Sequence, residues 1–337
     1  MTSTTYLKKF SGHSKALTSL IEKDGQLRVR KEIQTTSRED ILVLEKQCTW
    51  LMKVPTHSRK YFPYVIEYHK SKHYFSYDMS FFDLPSLSDL WFSGLISTQE
   101  VEKILKNMLH TYIHDLYLSQ SFTTQSDYVR ETLIQRTFER IQQAEALSAQ
   151  FKHFNRQKEY IFNGERIRNA QTLLEIIKKQ QARYQPETMG IAHGDLSFAN
   201  ILTDGDQIIF IDPRGDMHNT LLYDLAKLYT SFVELWEIMK EREITIHLKK
   251  NSIQSNFHLP THLEHDAKKF ENILWDIYAE IPFITKEQNW KTKIILYAGI
   301  QLIANCTFTL HRRGISYTKL TYATGLKLLE RAVAHSL

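Results

Sequence analysis

The sequence predicts an α+β chain of two lobes, a small antiparallel-sheet lobe over residues 1–80 and a larger, mainly helical lobe over 81–337. Three observations carry this. Within the first 80 residues, strand-like segments separated by turn residues flank a single helical segment. After Leu84-Pro85 the apolar spacing turns helical for most of what remains. One short hairpin signal, at 201–211, interrupts the helical part.

In the N-terminal part, Leu17 to Glu22 and Leu27 to Ile33 flank the turn signal Asp24-Gly25 and predict a β-hairpin, with a further short strand at Tyr6 to Phe10. Ser37 to Lys53 places Ile41, Leu44, Cys48 and Leu51 on one helical face, and Pro55 closes it. Tyr64 to Tyr68 and Tyr74 to Met79 read as two more strands, so the lobe boundary is expected near Met79 to Leu84. A sheet carrying one helix buries little core of its own.

Helices are then predicted at Thr98 to Leu118, with Val101, Leu105, Met108, Tyr112 and Leu116 as its stripe, and at Tyr128 to Gln150, Gln171 to Arg183, Leu222 to Met239, Glu264 to Ala279, Lys286 to Leu310 and Tyr317 to His335. The most apolar stretch, Ile294 to Leu310, is interrupted by Gln301 and Asn305 and is short for a bilayer span, which predicts a buried helix.

At 337 residues the chain has material for two lobes. Its formal charge of +5 is dispersed, and clusters such as Arg28, Arg30, Lys31 or Lys249, Lys250 are too small for a nucleic-acid face. The two cysteines, Cys48 and Cys306, have neither zinc-site nor disulfide-framework spacing, and residues 1–10 carry no secretory signal, so a reducing cytoplasm is expected. His110 and His114 stand four apart, but Thr111 occupies the position where a zinc protease carries glutamate, which argues against a metal pair there. The 17 tyrosines and 18 phenylalanines fall into helical stripes that read as core rather than as base-stacking platforms.

The chemistry is expected in residues 193–200, His-Gly-Asp-Leu-Ser-Phe-Ala-Asn, followed by the hairpin around Asp204-Gly205-Asp206 that ends in Ile211-Asp212-Pro213. Phosphoryl transfer asks a protein mainly to position the acceptor and to neutralise phosphate charge. Asp195 would take or orient the proton of an attacking hydroxyl, Asn200 would offer magnesium a neutral oxygen, and Asp212 a charged one. His193 would brace the loop. Each of these residues alone also reads as an ordinary turn former; the spacing, with an apolar hairpin between, is what points to chemistry.

His193-Gly194-Asp195 through Asn200, with Ile211-Asp212, resembles the motif of aminoglycoside phosphotransferases and choline kinases. The resemblance is convincing residue by residue only over about Ile191 to Leu228. It implies a bilobal protein-kinase-like fold, ATP or GTP as donor, magnesium, and a small-molecule hydroxyl acceptor bound by the helical lobe. It also implies that Asp195 is the catalytic base and that Asn200 and Asp212 hold the metal.

By the same resemblance Lys31 is placed like the lysine that grips the α- and β-phosphates, with Arg30 on the opposite strand face as its rival. Glu45 stands where that lysine's glutamate partner would be, with Glu39 and Glu32 as competitors. Gly12, in the loop Ser11 to Lys15, lies where a phosphate-covering turn belongs, although the loop lacks the G-x-G-x-x-G pattern. Tyr77, Asp78 and Met79 fall at the expected hinge, whose backbone would bind the base.

Arg214, next to Asp212, would contact an anionic acceptor or the phosphoryl group, or lock the loop. Asp224 is expected to fix the loop or cap a helix. No long segment of the kind that protein kinases use to bind peptide fits between Asp212 and the helix beginning near Tyr223, which favours a small acceptor: a sugar, polyol or amino alcohol. The Asp-Pro-Arg-Gly variant looks like kinases of bacterial surface-polysaccharide synthesis. The alternative is a catalytically silent kinase-fold protein that binds nucleotide and regulates others.

Overall fold

A computed structural model describes residues 4–10, 15–124, 127–241, 245–249, 252–256 and 259–334. The chain divides into two compact units, Met1–Ser121 with Gly190–Asp224, and Phe122–Met189 with Leu225–Leu337. It is an α+β protein: an antiparallel sheet fills the N-terminal region and helices dominate the rest.

In the first unit five strands, β1 (Thr4–Phe10), β2 (Leu17–Lys23), β3 (Gln26–Gln34), β4 (Val65–Lys70) and β5 (Tyr74–Ser80), pair antiparallel in the order β1-β2-β3-β5-β4. Asp24 and Gly25 turn the β2–β3 hairpin with φ of 56° and 70°, the left-handed pair that a two-residue turn needs. Register follows from it: Thr18 faces Lys31, and Lys31 faces Tyr77 on β5.

Helix α1 (Arg38–Lys53) starts where the Ser37 hydroxyl accepts the Asp40 N–H, and it buries Ile41, Leu44, Cys48, Trp50 and Leu51. It lies along β3 and β5. After β5 come a short helix that the sequence pattern did not predict, α2 (Leu87–Phe92), and α3 (Thr98–Thr111), opened by a Ser97–Glu100 capping box. The predicted helix Thr98 to Leu118 does not stay α-helical. It widens into π-type turns over Tyr112–Leu116 and tightens into a 3₁₀ turn over Tyr117–Gln120. Gly190 sits against that stretch: a Cβ there would lie 2.5 Å from the Tyr117 carbonyl oxygen, so only glycine fits.

The second unit is built on helices Arg136–Leu147, Ala149–Asn155, Ala170–Lys179, Phe270–Ala279, Trp290–Ala304 and Cys306–Ala334. Trp290–Ala304 is buried along most of its length, as its composition predicts, but it ends at Asn305 instead of running to Leu310. The helix predicted at Leu222 to Met239 breaks at Leu235, where φ is 51°, into Leu221–Phe232 and Trp236–Glu241. Two hairpins, Glu159–Phe162 with Glu165–Arg168 and Thr245–Lys249 with Ser252–Asn256, join into one four-stranded sheet. Among the described residues no single helix is long and apolar enough to cross a membrane; the pair Trp290–Ala304 and Cys306–Ala334 would have to do so bent by 67°.

Candidate functional site

Lys31, His193, Asp195, Asn200, Asp212 and Asp224 lie in the first unit, around the loop that follows the strand Thr188–Ile191. Asp224 holds the start of the loop. Its carboxylate accepts the backbone N–H of Gly194 at 2.8 Å, that of His193 at 3.0 Å, and the hydroxyl of Tyr112 at 2.6 Å. The Tyr112 hydroxyl in turn accepts the His193 N–H at 2.7 Å. All of these groups are buried, and burial raises the Asp224 carboxyl above its ordinary range even against three donors.

His193 braces the loop through both ring nitrogens. Nε2 donates to the carbonyl of Ile211 at 2.8 Å, and Nδ1 accepts the Asp195 N–H at 3.3 Å. Burial lowers its pKa, so the ring is neutral and carries its proton on Nε2. The His193 carbonyl accepts the Arg214 N–H at 2.8 Å, which ties the loop to the segment after Asp212. Gly194 has φ of 77°, and a Cβ there would meet the Arg214 Cβ at 2.8 Å. From the sheet side, Trp50 of α1 donates its indole N–H to the Ala192 carbonyl at 3.2 Å.

Asp195 and Asn200 are brought together. The Asn200 amide nitrogen donates to the Asp195 carbonyl oxygen at 2.8 Å and to its Oδ2 at 3.2 Å, which turns the Asn200 amide oxygen the other way. The strands Ile201–Thr203 and Ile208–Phe210 pair as the predicted hairpin, and the Ile211 N–H returns to the Asn200 carbonyl at 3.0 Å. Hence Asp212 lands beside Asn200. Its φ of 59° is a left-handed conformation that aspartate tolerates better than most residues.

Lys31 forms an ion pair with Asp212. The lysine side chain is 3% exposed and the aspartate 40%, so the cation sits at the floor while the carboxylate keeps an open side. Arg30 is engaged elsewhere, bidentate on the buried Asp78 at 2.6 and 2.8 Å. Glu45 is not brought to Lys31; its carboxylate pairs with Lys70 of β4 at 2.9 Å.

The hinge expectation needs correcting. Tyr77, Asp78 and Met79 lie inside β5, flanked by β3 on one side and β4 on the other, so their backbone is committed to the sheet. Tyr77 instead contributes a buried side chain close to Asp212: burial raises its pKa far above the ordinary value and the Asp212 charge adds to that, which keeps the phenol protonated. Gly12 lies outside the described residues.

The Arg214 guanidinium is occupied by its own chain: it donates to the Tyr223 hydroxyl at 2.9 Å, lies over that ring, and has Asp216 at 3.4 Å. Trp50 and Tyr112 are site residues that the sequence reading placed in the core or passed over. Tyr112 sits four residues after Met108 on an apolar stripe, and nothing local marks its hydroxyl as a partner of residues 81 and 112 positions away.

As a donor set, Asn200 and Asp212 are hard oxygen ligands on adjacent chain ends, which suits magnesium completed by phosphate oxygens and water. No cluster of three or more histidine, cysteine, aspartate or glutamate side chains with metal-binding geometry occurs among the described residues. A nucleotide-borne cation needs no such cage.

No family model matches the sequence, and no curated protein matches it. Among solved structures the chain is similar to the crystal structure of spectinomycin phosphotransferase APH(9)-Ia in complex with ADP and spectinomycin, at 12% identity, over 99% of this chain and 93% of that one, with a TM-score of 0.49. So distant a likeness transfers no residue roles.

Proposed function

We propose that the protein is a small-molecule kinase of the aminoglycoside phosphotransferase and choline kinase class, moving the γ-phosphate of ATP or GTP to an alcohol hydroxyl of a sugar, polyol or amino alcohol. The observation that carries this reading is the convergence of Asp195, Asn200, Asp212 and Lys31 on one loop and hairpin of the first unit. In it, residues 1–80 serve as the nucleotide-binding lobe and 81–337 as the catalytic and acceptor-binding lobe.

Asp195 would accept the acceptor's proton, its carboxylate steadied by the Asn200 amide. Lys31, buried and already facing an anion, would meet the donor's phosphates as they displace or share Asp212. Bound magnesium would supply charge neutralisation between those phosphates, and Asn200 and Asp212 are the residues that would hold it. Asp224, Tyr112 and His193 would act at a distance by fixing the loop backbone. Arg214, held by Tyr223 and Asp216, suits the locking role better than acceptor binding. A place in surface-polysaccharide synthesis is part of the proposal and rests on the Asp212-Pro213-Arg214-Gly215 run alone.

The test is transfer of label from γ-³²P-ATP to the small-molecule fraction of a cell extract. Wild type should label a small molecule, and Asp195→Ala should slow labelling by about a hundred- to ten-thousandfold, the range for loss of a general base. Equal labelling by the variant would remove Asp195 from the chemistry. Nucleotide binding without labelling of any molecule would favour the silent, regulatory reading.

A further inference from the structure

Helix α1 meets the candidate site at two places, and Glu45 is neither of them, because its carboxylate pairs with Lys70. The first is Trp50, 1% exposed. Its indole N–H donates to the Ala192 carbonyl at 3.2 Å, and its ring meets the His193 ring at 71°, with centroids 6.2 Å apart. The second is Gly215. Its φ is 93°, and a Cβ there would lie 2.8 Å from the carbonyl carbon of Lys46 and 2.9 Å from the Gln47 nitrogen. The segment after Asp212 therefore rests directly on the helix backbone, and both the conformation and the contact require glycine. Asp216 follows, with the Lys46 Nζ at 3.4 Å; that pair is exposed and adds little.

Lys46 and Trp50 are one helical turn apart, so both contacts fall on one stretch of α1. They hold the chain at matching points: Ala192 lies three residues before Asp195, and Gly215 lies three residues after Asp212. The two segments are also tied to each other. The Arg214 N–H donates to the His193 carbonyl and the His193 Nε2 to the Ile211 carbonyl, both at 2.8 Å. One turn of α1 is thus the common seat of the stretch that leads into the candidate base and of the stretch that leaves the candidate metal ligand.

We propose that Trp50 and Gly215 are positioning residues for phosphoryl transfer, with separate duties. Gly215 lets the chain come close enough to α1 to place the Asp212 carboxylate for magnesium, and Trp50 fixes the Ala192 carbonyl and with it the loop that presents Asp195. This rests on the kinase reading, in which α1 supports the site through these contacts rather than through a Lys31–Glu45 pair.

The experiment compares wild type, Gly215→Ala and Trp50→Phe with Gly164→Ala, which forces a similar φ, 87°, on alanine but has nothing within 4 Å of the new Cβ. Each full-length protein is titrated with ATP and with GTP in the presence of magnesium, read by melting temperature. The initial rate of labelling of the small-molecule fraction of a cell extract is then measured at saturating nucleotide. Gly215→Ala should bind magnesium-nucleotide about 10- to 100-fold more weakly, the usual loss when the support of a metal ligand is removed. Trp50→Phe keeps an aromatic ring and deletes the N–H; it should bind nucleotide like wild type and label about 10- to 100-fold more slowly. Gly164→Ala should lose melting temperature through its backbone while binding and labelling like wild type. A purely structural role for Trp50 and Gly215 would lower the melting temperature alone, as in that control. Nucleotide affinity kept in Gly215→Ala, or a labelling rate kept in Trp50→Phe, overturns the assignment and leaves the kinase reading standing. No magnesium-nucleotide binding by wild type overturns the kinase reading and the positioning role with it.

Discussion

Asp224→Ala should unlatch the loop that carries Asp195. The carboxylate satisfies three buried donors, but the His193 N–H keeps the Tyr112 oxygen at 2.7 Å after the change, which leaves the Gly194 N–H and the Tyr112 O–H as the orphans. A buried donor left unmade costs about 1–3 kcal/mol, so two cost about 2–6 kcal/mol. Because burial raises the pKa of Asp224, removing that carboxylate recovers part of its desolvation penalty, and the expected net loss is about 3 kcal/mol. Amide hydrogen exchange reads this locally. Protection of the Gly194 N–H should drop by about a hundredfold, with the five-stranded sheet unchanged, and turnover should fall because Asp195 loses its fixed backbone. Unchanged protection at Gly194, or a stability change under about 0.5 kcal/mol, would refute the latch.

Two further outcomes follow from particular residues. Glu234 has its pKa raised to about 7, chiefly by burial, against Arg331 and Lys327, which lower it. Its folded pKa exceeds the unfolded value of 4.5, so stability should be full below pH 4.5, fall as pH rises to about 7, and level off beyond; the loss is below about 3 kcal/mol, from about 2.5 units at 1.36 kcal/mol each, because Glu234 keeps some solvent contact. Melting curves across that range should flatten in Glu234→Gln, and a slope that survives the substitution would assign the effect elsewhere. Gly194→Ala forces a φ of 77° on alanine and puts its Cβ 2.8 Å from that of Arg214, so a loss of at least about 1–2 kcal/mol with impaired turnover is expected by denaturant titration.

The sequence and the structure agree where the signal is local. The Asp24-Gly25 turn, the α1 stripe and the 201–210 hairpin are each set by residues within a few positions of one another. The second unit's strands went unread for a different reason: Asn163-Gly164, with φ of 48° and 87°, is a hairpin signal of the same kind, but its flanking strands are only four residues long and lie among helices. Helix ends were overrun where the breaker is not a proline, as at Leu235 and Asn305. At the site, the spacing from His193 to Asp212 is legible because the hairpin enforces it. Partners that come from distant segments are not legible, so Trp50 and Tyr112 look like core, Glu45 gives no hint of Lys70, and nothing local shows that both neighbours of β5 engage the Tyr77 to Met79 backbone.

If Asp212 and its neighbours form the proposed magnesium-nucleotide site, the melting temperature of the protein with ATP, GTP or ADP should depend on magnesium, measured with and without it and repeated for Asp212→Asn. At a hundredfold excess over Kd, binding to the native state should stabilise wild type by about 2.7 kcal/mol, in a magnesium-dependent manner that Asp212→Asn loses. No shift with any nucleotide, or an equal shift in the variant, would rule out a magnesium-nucleotide site at Asp212.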